Sequence, residues 1–220
     1  MSVLYLFDID GTLMHAAGSG RAAFDAVFAE RHAVANASDG IRYGGKTDPA
    51  IIGELYAARL GRSPTAAEAA AFIDAYLPRL RQLLATGVTV LAGVIEALAY
   101  LKAQPGVVLG VATGNVRAGA DAKLAAAGLA HWFELGGYGC DSHLRAELVA
   151  RAIERGRARG HVREVVVVGD TIYDIAAARA CGATVCAVAT GSDPADALGE
   201  ADAVFSSMTE LPAWHARRFG

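Results

Sequence analysis

The run VLYLFDIDGTL, residues 3–13, decides the fold class of this 220-residue chain. Its first five residues, Val3–Phe7, are continuously apolar, as suits a strand buried on both faces of a parallel sheet. Asp8 and Asp10 follow, two residues apart at the strand's end, so both carboxylates point to the same side. Gly11 then permits a sharp turn, and Thr12 can bond back to it. In open parallel sheets the crevice beyond the carboxyl ends of the strands is where ligands bind. Two carboxylates placed there repel each other and tolerate proximity only with a cation or a shared proton.

Further along the chain, Val107–Val111 (VVLGV) and Val165–Val168 (VVVV) repeat the buried-strand pattern. Ala183–Val188 and Ala203–Phe205 are further candidates, with a weaker one near Phe133–Tyr138. Helical stretches alternate with these runs; Val94, Leu98 and Leu101 form one face of the helix leading into Val107. Strand–helix alternation predicts a doubly wound α/β sheet. The first two strong strands are separated by far more chain than one crossover helix needs. That stretch reads as helices, with Phe24, Val27 and Phe28 at helical spacing, and likewise Phe72, Tyr76, Leu80 and Leu83. Asp48 followed by Pro49 looks like an N-cap with proline at the first helical position. Thr65 with Glu68 reads as a capping box, and Gly61, Ser63 and Pro64 separate the two helices. We expect a discontinuous core, residues 1–14 and 88–220, and a helical insertion over residues 15–87. An insertion on the end of the first strand sits over that strand's tip, which is the place for a lid.

Asp170 and Asp174, in VVVVGDTIYD (165–174), lie just past another apolar strand, with Gly169 permitting close backbone approach. They form a second acidic cluster at the same end of the sheet. Each close carboxylate pair would cost about 4 kcal/mol at ~4 Å and an effective dielectric of ~20. Three or four carboxylate oxygens converging there suit a hard cation such as Mg²⁺. Thr113 and Gly114, in VATGN (111–115), follow the strand Val107–Val111 in the same way. A hydroxyl and exposed N–H groups at a strand-to-helix junction suit phosphate oxygens. An acidic turn alone could simply exit a strand, and a Thr-Gly turn could simply cap a helix. Their weight comes from sharing one rim.

FDIDGTL, VATGN and VVVVGDTIYD, in that order and with a helical insertion after the first, resemble the haloacid dehalogenase superfamily. The resemblance covers most of the chain, and its closest fit is the phosphoglycolate phosphatase-like subgroup. It implies a Rossmann-like three-layer α/β/α core with a central parallel sheet and an α-helical cap domain. It also implies roles: Asp8 as nucleophile, Asp10 as general acid/base and Thr113 as phosphate ligand, with Gly114 and Asn115 beside it. Mg²⁺ would be held by Asp8, the Asp10 backbone carbonyl and Asp170, with Asp174 assisting through water or hydrogen bonds. The second acid, Asp10, marks phosphate-transferring members and favours a phosphatase over a dehalogenase.

The family's lysine before the GD motif is missing. The matching stretch, CDSHLRAELVARAI (140–153), offers His143 and Arg145, and Arg145 is the best substitute. A guanidinium stays charged and can hold carboxylate or phosphate in a fork. A surface arginine opening an amphipathic helix is the competing reading. Lys123 sits on the helix after Thr113, too early in the chain for that role. GGKTD (44–48) resembles the cap loop that such proteins turn toward the active site, which would let Lys46 read the leaving group. A glycine-rich helix connection with an N-cap explains the same residues. Gly18, Ser19 and Gly20 are the expected hinge.

The implied activity is hydrolysis of a small phosphate monoester, phosphoglycolate-like among the candidates, through an aspartyl-phosphate. A β-phosphoglucomutase-like phosphotransferase shares the core motifs, and a non-catalytic receiver-like phosphoacceptor module is a further alternative. Net charge of −3 gives no electrostatic case for nucleic acid or an anionic membrane as partner. The expected partner is a small phosphorylated metabolite; oligomeric state is unreadable. MSVLYLF is too short for a signal-peptide core and runs straight into Asp8. No CxxC pair occurs among Cys140, Cys181 and Cys186, which read as small buried hydrophobes in a reducing cytoplasm.

Overall fold

Strand β1 (Val3–Phe7) is buried along its whole length because it has a neighbour on each edge and a helical layer on each face. The computed structural model describes residues 2–85 and 87–220. Residue 1, at the head of the expected core, and residue 86, at the tail of the expected insertion, lie outside the described residues. β1 pairs in parallel with β4 (Val107–Thr113) and β6 (Glu164–Gly169), with Phe7 level with Val111 and Val168. β5 (Leu135–Tyr138) lies outside β4, while β7 (Thr184–Val188) and β8 (Ala203–Phe205) extend beyond β6. The six strands run in the order β5-β4-β1-β6-β7-β8, all parallel.

Alternation along each strand divides the core between two faces. Val3, Tyr5 and Phe7 join Leu98 and Leu101 of α4 (Val94–Lys102) and Leu211 of α8 (Leu211–Phe219) in one cluster. The Tyr5 hydroxyl and His215 Nδ1, 2.7 Å apart, give that layer its buried polar tie. Leu4 and Leu6 turn the other way, into a cluster with Leu148, Val149 and Ile153 of α6 (Arg145–Arg157) and Ile175 of α7 (Ile172–Ala180). The result is a three-layer, Rossmann-like α/β/α core.

Between β1 and β4 the chain first forms β2 (Met14–His15), which pairs antiparallel with β3 (Thr89–Val90). Two-residue strands carry no periodic signal, so this ribbon was not legible in the sequence. It holds the departing and returning chain side by side. Three helices lie between them: α1 (Ser19–His32), α2 (Asp48–Leu60) and α3 (Ala66–Leu84). Their interior is aromatic, with the Phe24 ring 4.6 Å from Tyr76 and 5.4 Å from Phe72, and Phe28 5.5 Å from Tyr56. The Thr65–Glu68 capping box is formed. The cap of α2 is one residue earlier than expected. Thr47 is the N-cap, its hydroxyl accepting from the Ala50 N–H at 3.3 Å, and Asp48 opens the helix with its carboxylate directed elsewhere. The chain enters α1 through left-handed residues Ala17 and Gly18, within the glycine-rich stretch expected to bend. Of the cysteines only Cys186 is buried; Cys181 is half-buried and Cys140 is exposed, contrary to expectation. No helix among the described residues is long and apolar enough to cross a membrane.

Candidate active site

The carboxyl ends of β1, β4 and β6 lie side by side, so the loops after them share one rim. Asp8 follows β1, Thr113 closes β4 and Asp170 follows β6, and all three side chains are buried. Asp174 rises from the first turn of α7, and Arg145 is the first residue of α6. One carboxylate oxygen from each of Asp8, Asp170 and Asp174 lies within 4.8 Å of the others. Gly11 (φ +82°) is needed for this approach: a Cβ there would sit 2.6 Å from Asp170 Oδ2 and 2.8 Å from the Gly191 Cα.

Arg145 is buried among carboxylates and is not a surface arginine. Its Nη2 lies 3.0 Å from Asp8 Oδ2 and 2.6 Å from Asp174 Oδ1, which also accepts from Nε at 3.0 Å. Asp174 Oδ2 accepts from the Thr171 N–H at 3.0 Å and the Thr171 hydroxyl at 2.6 Å. Both oxygens of Asp174 are therefore engaged. Asp170 Oδ1 accepts from the Thr12 hydroxyl at 3.0 Å, and its Oδ2 from the Ser192 N–H at 2.8 Å.

Three carboxylates and one guanidinium leave two negative charges in this cluster. Burial pushes the Asp8 carboxyl up, Arg145 pulls it back, and Asp174 and Asp10 push it up again; the net is upward. Asp170 is raised too, by burial and then by Asp174 and Asp8, with the Ser192 N–H and Thr12 hydroxyl opposing. Burial works against the Arg145 charge, but Asp174 and Asp8 outweigh it and hold its pKa above the ordinary value. Hard oxygen donors carrying a surplus of two negative charges fit a divalent Mg²⁺.

The Asp10 carboxylate is outside that cluster. Its Oδ2 accepts from Lys123 Nζ at 2.5 Å and Asn115 Nδ2 at 2.8 Å. Lys123 Nζ also reaches Asn115 Oδ1 at 2.7 Å, and Asn115 Nδ2 reaches Thr113 Oγ1 at 2.9 Å. Partial desolvation in the cavity raises the Asp10 carboxyl, but the Lys123 charge and the bonds from Lys123 and Asn115 prevail and hold it below the ordinary value. Lys123 stands on α5 (Arg117–Ala126), and its early place in the chain does not keep it from the site. A signal was available: residues 116, 120 and 124 mark the buried face of α5, and position 123 shares it with 116, 119 and 120. A lysine on a buried helix face requires a partner.

The loop before α2 is docked onto the core. The Asp48 N–H donates to the Gly114 carbonyl at 2.8 Å, and Asp48 Oδ2 accepts from the Val116 N–H at 2.8 Å. Arg145 Nη1 reaches the Gly45 carbonyl at 3.4 Å, and Arg42 pairs with Asp193 from the loop after β7. Gly114 leaves no room for a Cβ because the Lys46 carbonyl lies against it. Lys46 lines the cavity, but its Nζ is paired with Glu54 at 2.6 Å. The cavity, about 480 Å³, runs from Asp8 to the helical layer at Phe24, Ile51 and Tyr76. The Tyr76 hydroxyl is the one buried side-chain polar atom without a partner among the described residues. Sequence reading missed it because a tyrosine on an apolar helix face looks like core.

The model of the family described as haloacid dehalogenase-like hydrolase matches residues 4–182. This chain belongs to that family. The protein named "Probable phosphatase IndB", from Dickeya dadantii (strain 3937), is 36% identical over 115 residues, 51% of this chain and 49% of that protein. The match thus spans about half the length of that relative. Among solved structures, CbbY from Rhodobacter sphaeroides in complex with phosphate superposes with a TM-score of 0.71 at 23% identity, covering 96% of each chain. A hydrolase from Pseudomonas syringae gives 0.72 at 22% identity, covering all of both chains. These likenesses establish the shared fold.

Proposed function

We propose that the chain is a Mg²⁺-dependent phosphatase that transfers the phosphoryl group of a small phosphate monoester to Asp8 and then to water. The observation that carries this reading is the placing of Asp8: buried, 3.0 Å from Arg145, and in one 4.8 Å cluster with Asp170 and Asp174. A carboxylate so held can attack phosphorus in line, forming an aspartyl-phosphate as the P–O bond to the alcohol breaks. Asp10, an ionised carboxylate beside Lys123 in the free site, would take up the proton of a substrate phosphate monoanion as it binds, give it to the leaving oxygen and later take one from the attacking water. Arg145 would neutralise a phosphoryl oxygen, and Thr113, whose Oγ1 accepts from Asn115, keeps its own proton for another. Mg²⁺, held by Asp8, the Asp10 backbone carbonyl and Asp170 with Asp174 behind, would supply Lewis-acid stabilisation of the developing charge.

In this reading residues 15–87 are a cap that closes over the cavity, with Gly44–Asp48 as its contact with the core and the residues around Gly18 as its hinge. Gly114, Asn115 and Lys46 would line the substrate's path, Lys46 reading the leaving group after release from Glu54. CbbY, whose fold this chain shares, was solved in complex with phosphate, which is in keeping with a phosphoryl ligand. The test is a screen of small phosphate monoesters, phosphoglycolate included, with and without Mg²⁺. Wild type should release phosphate only with Mg²⁺, and Asp8→Asn should lose roughly 10³-fold or more. Full activity in Asp8→Asn, or no turnover of any ester, would overturn the proposal. Release from simple esters without a sugar bisphosphate separates hydrolysis from the mutase reaction.

A further inference from the structure

Lys123 has no part in the reading above, yet it is among the most costly side chains to place where it is. Its side chain is 6% exposed, and burying an ammonium is unfavourable unless charge and hydrogen bonds compensate it. Its bonds run to Asp10 Oδ2 and Asn115 Oδ1. Asp48 is the other acid facing it.

The three side chains can be joined in one way only. A carboxylate accepts and an ammonium donates, so Asn115 must turn its NH₂ toward Asp10 and its C=O toward Lys123. Asp10 Oδ2 is then held by two donors from two positions, one on the loop after β4 and one on α5. Among the described residues Oδ1 has no donor, and the Asp10 side chain is 43% exposed. From this we infer that Lys123 is a positioning residue: with Asn115 it clamps Oδ2, which makes Oδ1 the atom that carries the proton in both half-reactions. In the first, Oδ1–H gives its proton to the leaving oxygen while the P–O bond breaks and the Asp8–phosphorus bond forms. In the second, Oδ1 takes a proton from the water that attacks the aspartyl-phosphate. Without the clamp the carboxylate rotates freely and meets the leaving oxygen only part of the time.

This inference rests on Asp10 being the general acid/base, so the experiment separates the two ideas. kcat/KM is measured for an alkyl phosphate, whose leaving group needs a proton, and for p-nitrophenyl phosphate, whose leaving group does not. Asp10→Asn is the benchmark and should lose about 10²-fold or more on the alkyl ester and far less on the aryl ester. If it shows no such difference, the acid/base assignment of Asp10 fails. Given that benchmark, Lys123→Met should show the same selective loss, at least about tenfold greater on the alkyl ester. Added to Asp10→Asn it should cost little more, since both act through one group. Equal loss on both esters, or no loss on either, would overturn the positioning role. Should Lys123→Met fail to fold, Lys123→Gln keeps the buried slot polar with a side chain too short to bond Asp10, and the same selectivity for the alkyl ester is required of it.

Discussion

Asp48→Asn removes a buried charge from the docked loop while leaving an oxygen to accept the Val116 N–H. Burial drives the Asp48 carboxyl up from an ordinary 3.8 to about 6, although Lys123 and the Val116 N–H pull it down. Its folded pKa lies above its unfolded one, so the native state holds the proton more tightly. Stability therefore falls as pH rises from about 4 to about 6, and the full cost persists above that window. The whole span is roughly 3 kcal/mol at 1.36 kcal/mol per unit. About half is already incurred at pH 5, which leaves about 1.4 kcal/mol between pH 5 and pH 8. Asparagine has no such term. In urea denaturation at those two pH values, wild type should lose about 1.4 kcal/mol relative to Asp48→Asn on going to pH 8. Parallel pH dependence in the two proteins would refute the reasoning, as would a change of the opposite sign.

Gly11→Ala should destabilise by about 1–3 kcal/mol from the left-handed backbone alone, with more from the clash against Asp170 and Gly191. A melting temperature within about 2 °C of wild type would show that the turn relaxes around the new methyl, and phosphatase activity should be lost with the displaced Asp170. Mg²⁺ at ~100 times its dissociation constant should stabilise the fold by about 2.7 kcal/mol, or roughly 5–11 °C, reversed by EDTA. An unchanged melting curve in Mg²⁺, with Asp170→Asn behaving like wild type, would count against the charge surplus assigned to the cluster.

Much of the fold was legible because its signals are local. A parallel strand buried on both faces needs an unbroken apolar run, and all six strands coincide with runs marked in the chain, three of them strongly. The rim was legible too, since Asp8, Thr113 and Asp170 each end such a run, and strand ends in a parallel sheet lie together whatever their separation in sequence. The ribbon joining Met14–His15 to Thr89–Val90 was not, because two-residue strands have no period.

Pairings across helices belong to tertiary structure alone. Arg145 opens α6 and could have faced solvent; packing α6 beside α7 turned its guanidinium onto Asp8 and Asp174. Lys123 is 113 residues from Asp10 and on the wrong helix for the family's lysine, yet the length of its side chain brings Nζ to Oδ2. Residue types and strand ends thus determined which carboxylates would meet. Which cation answers each one depended on helix packing, because long side chains can reach any of several neighbours and only the assembled fold selects one.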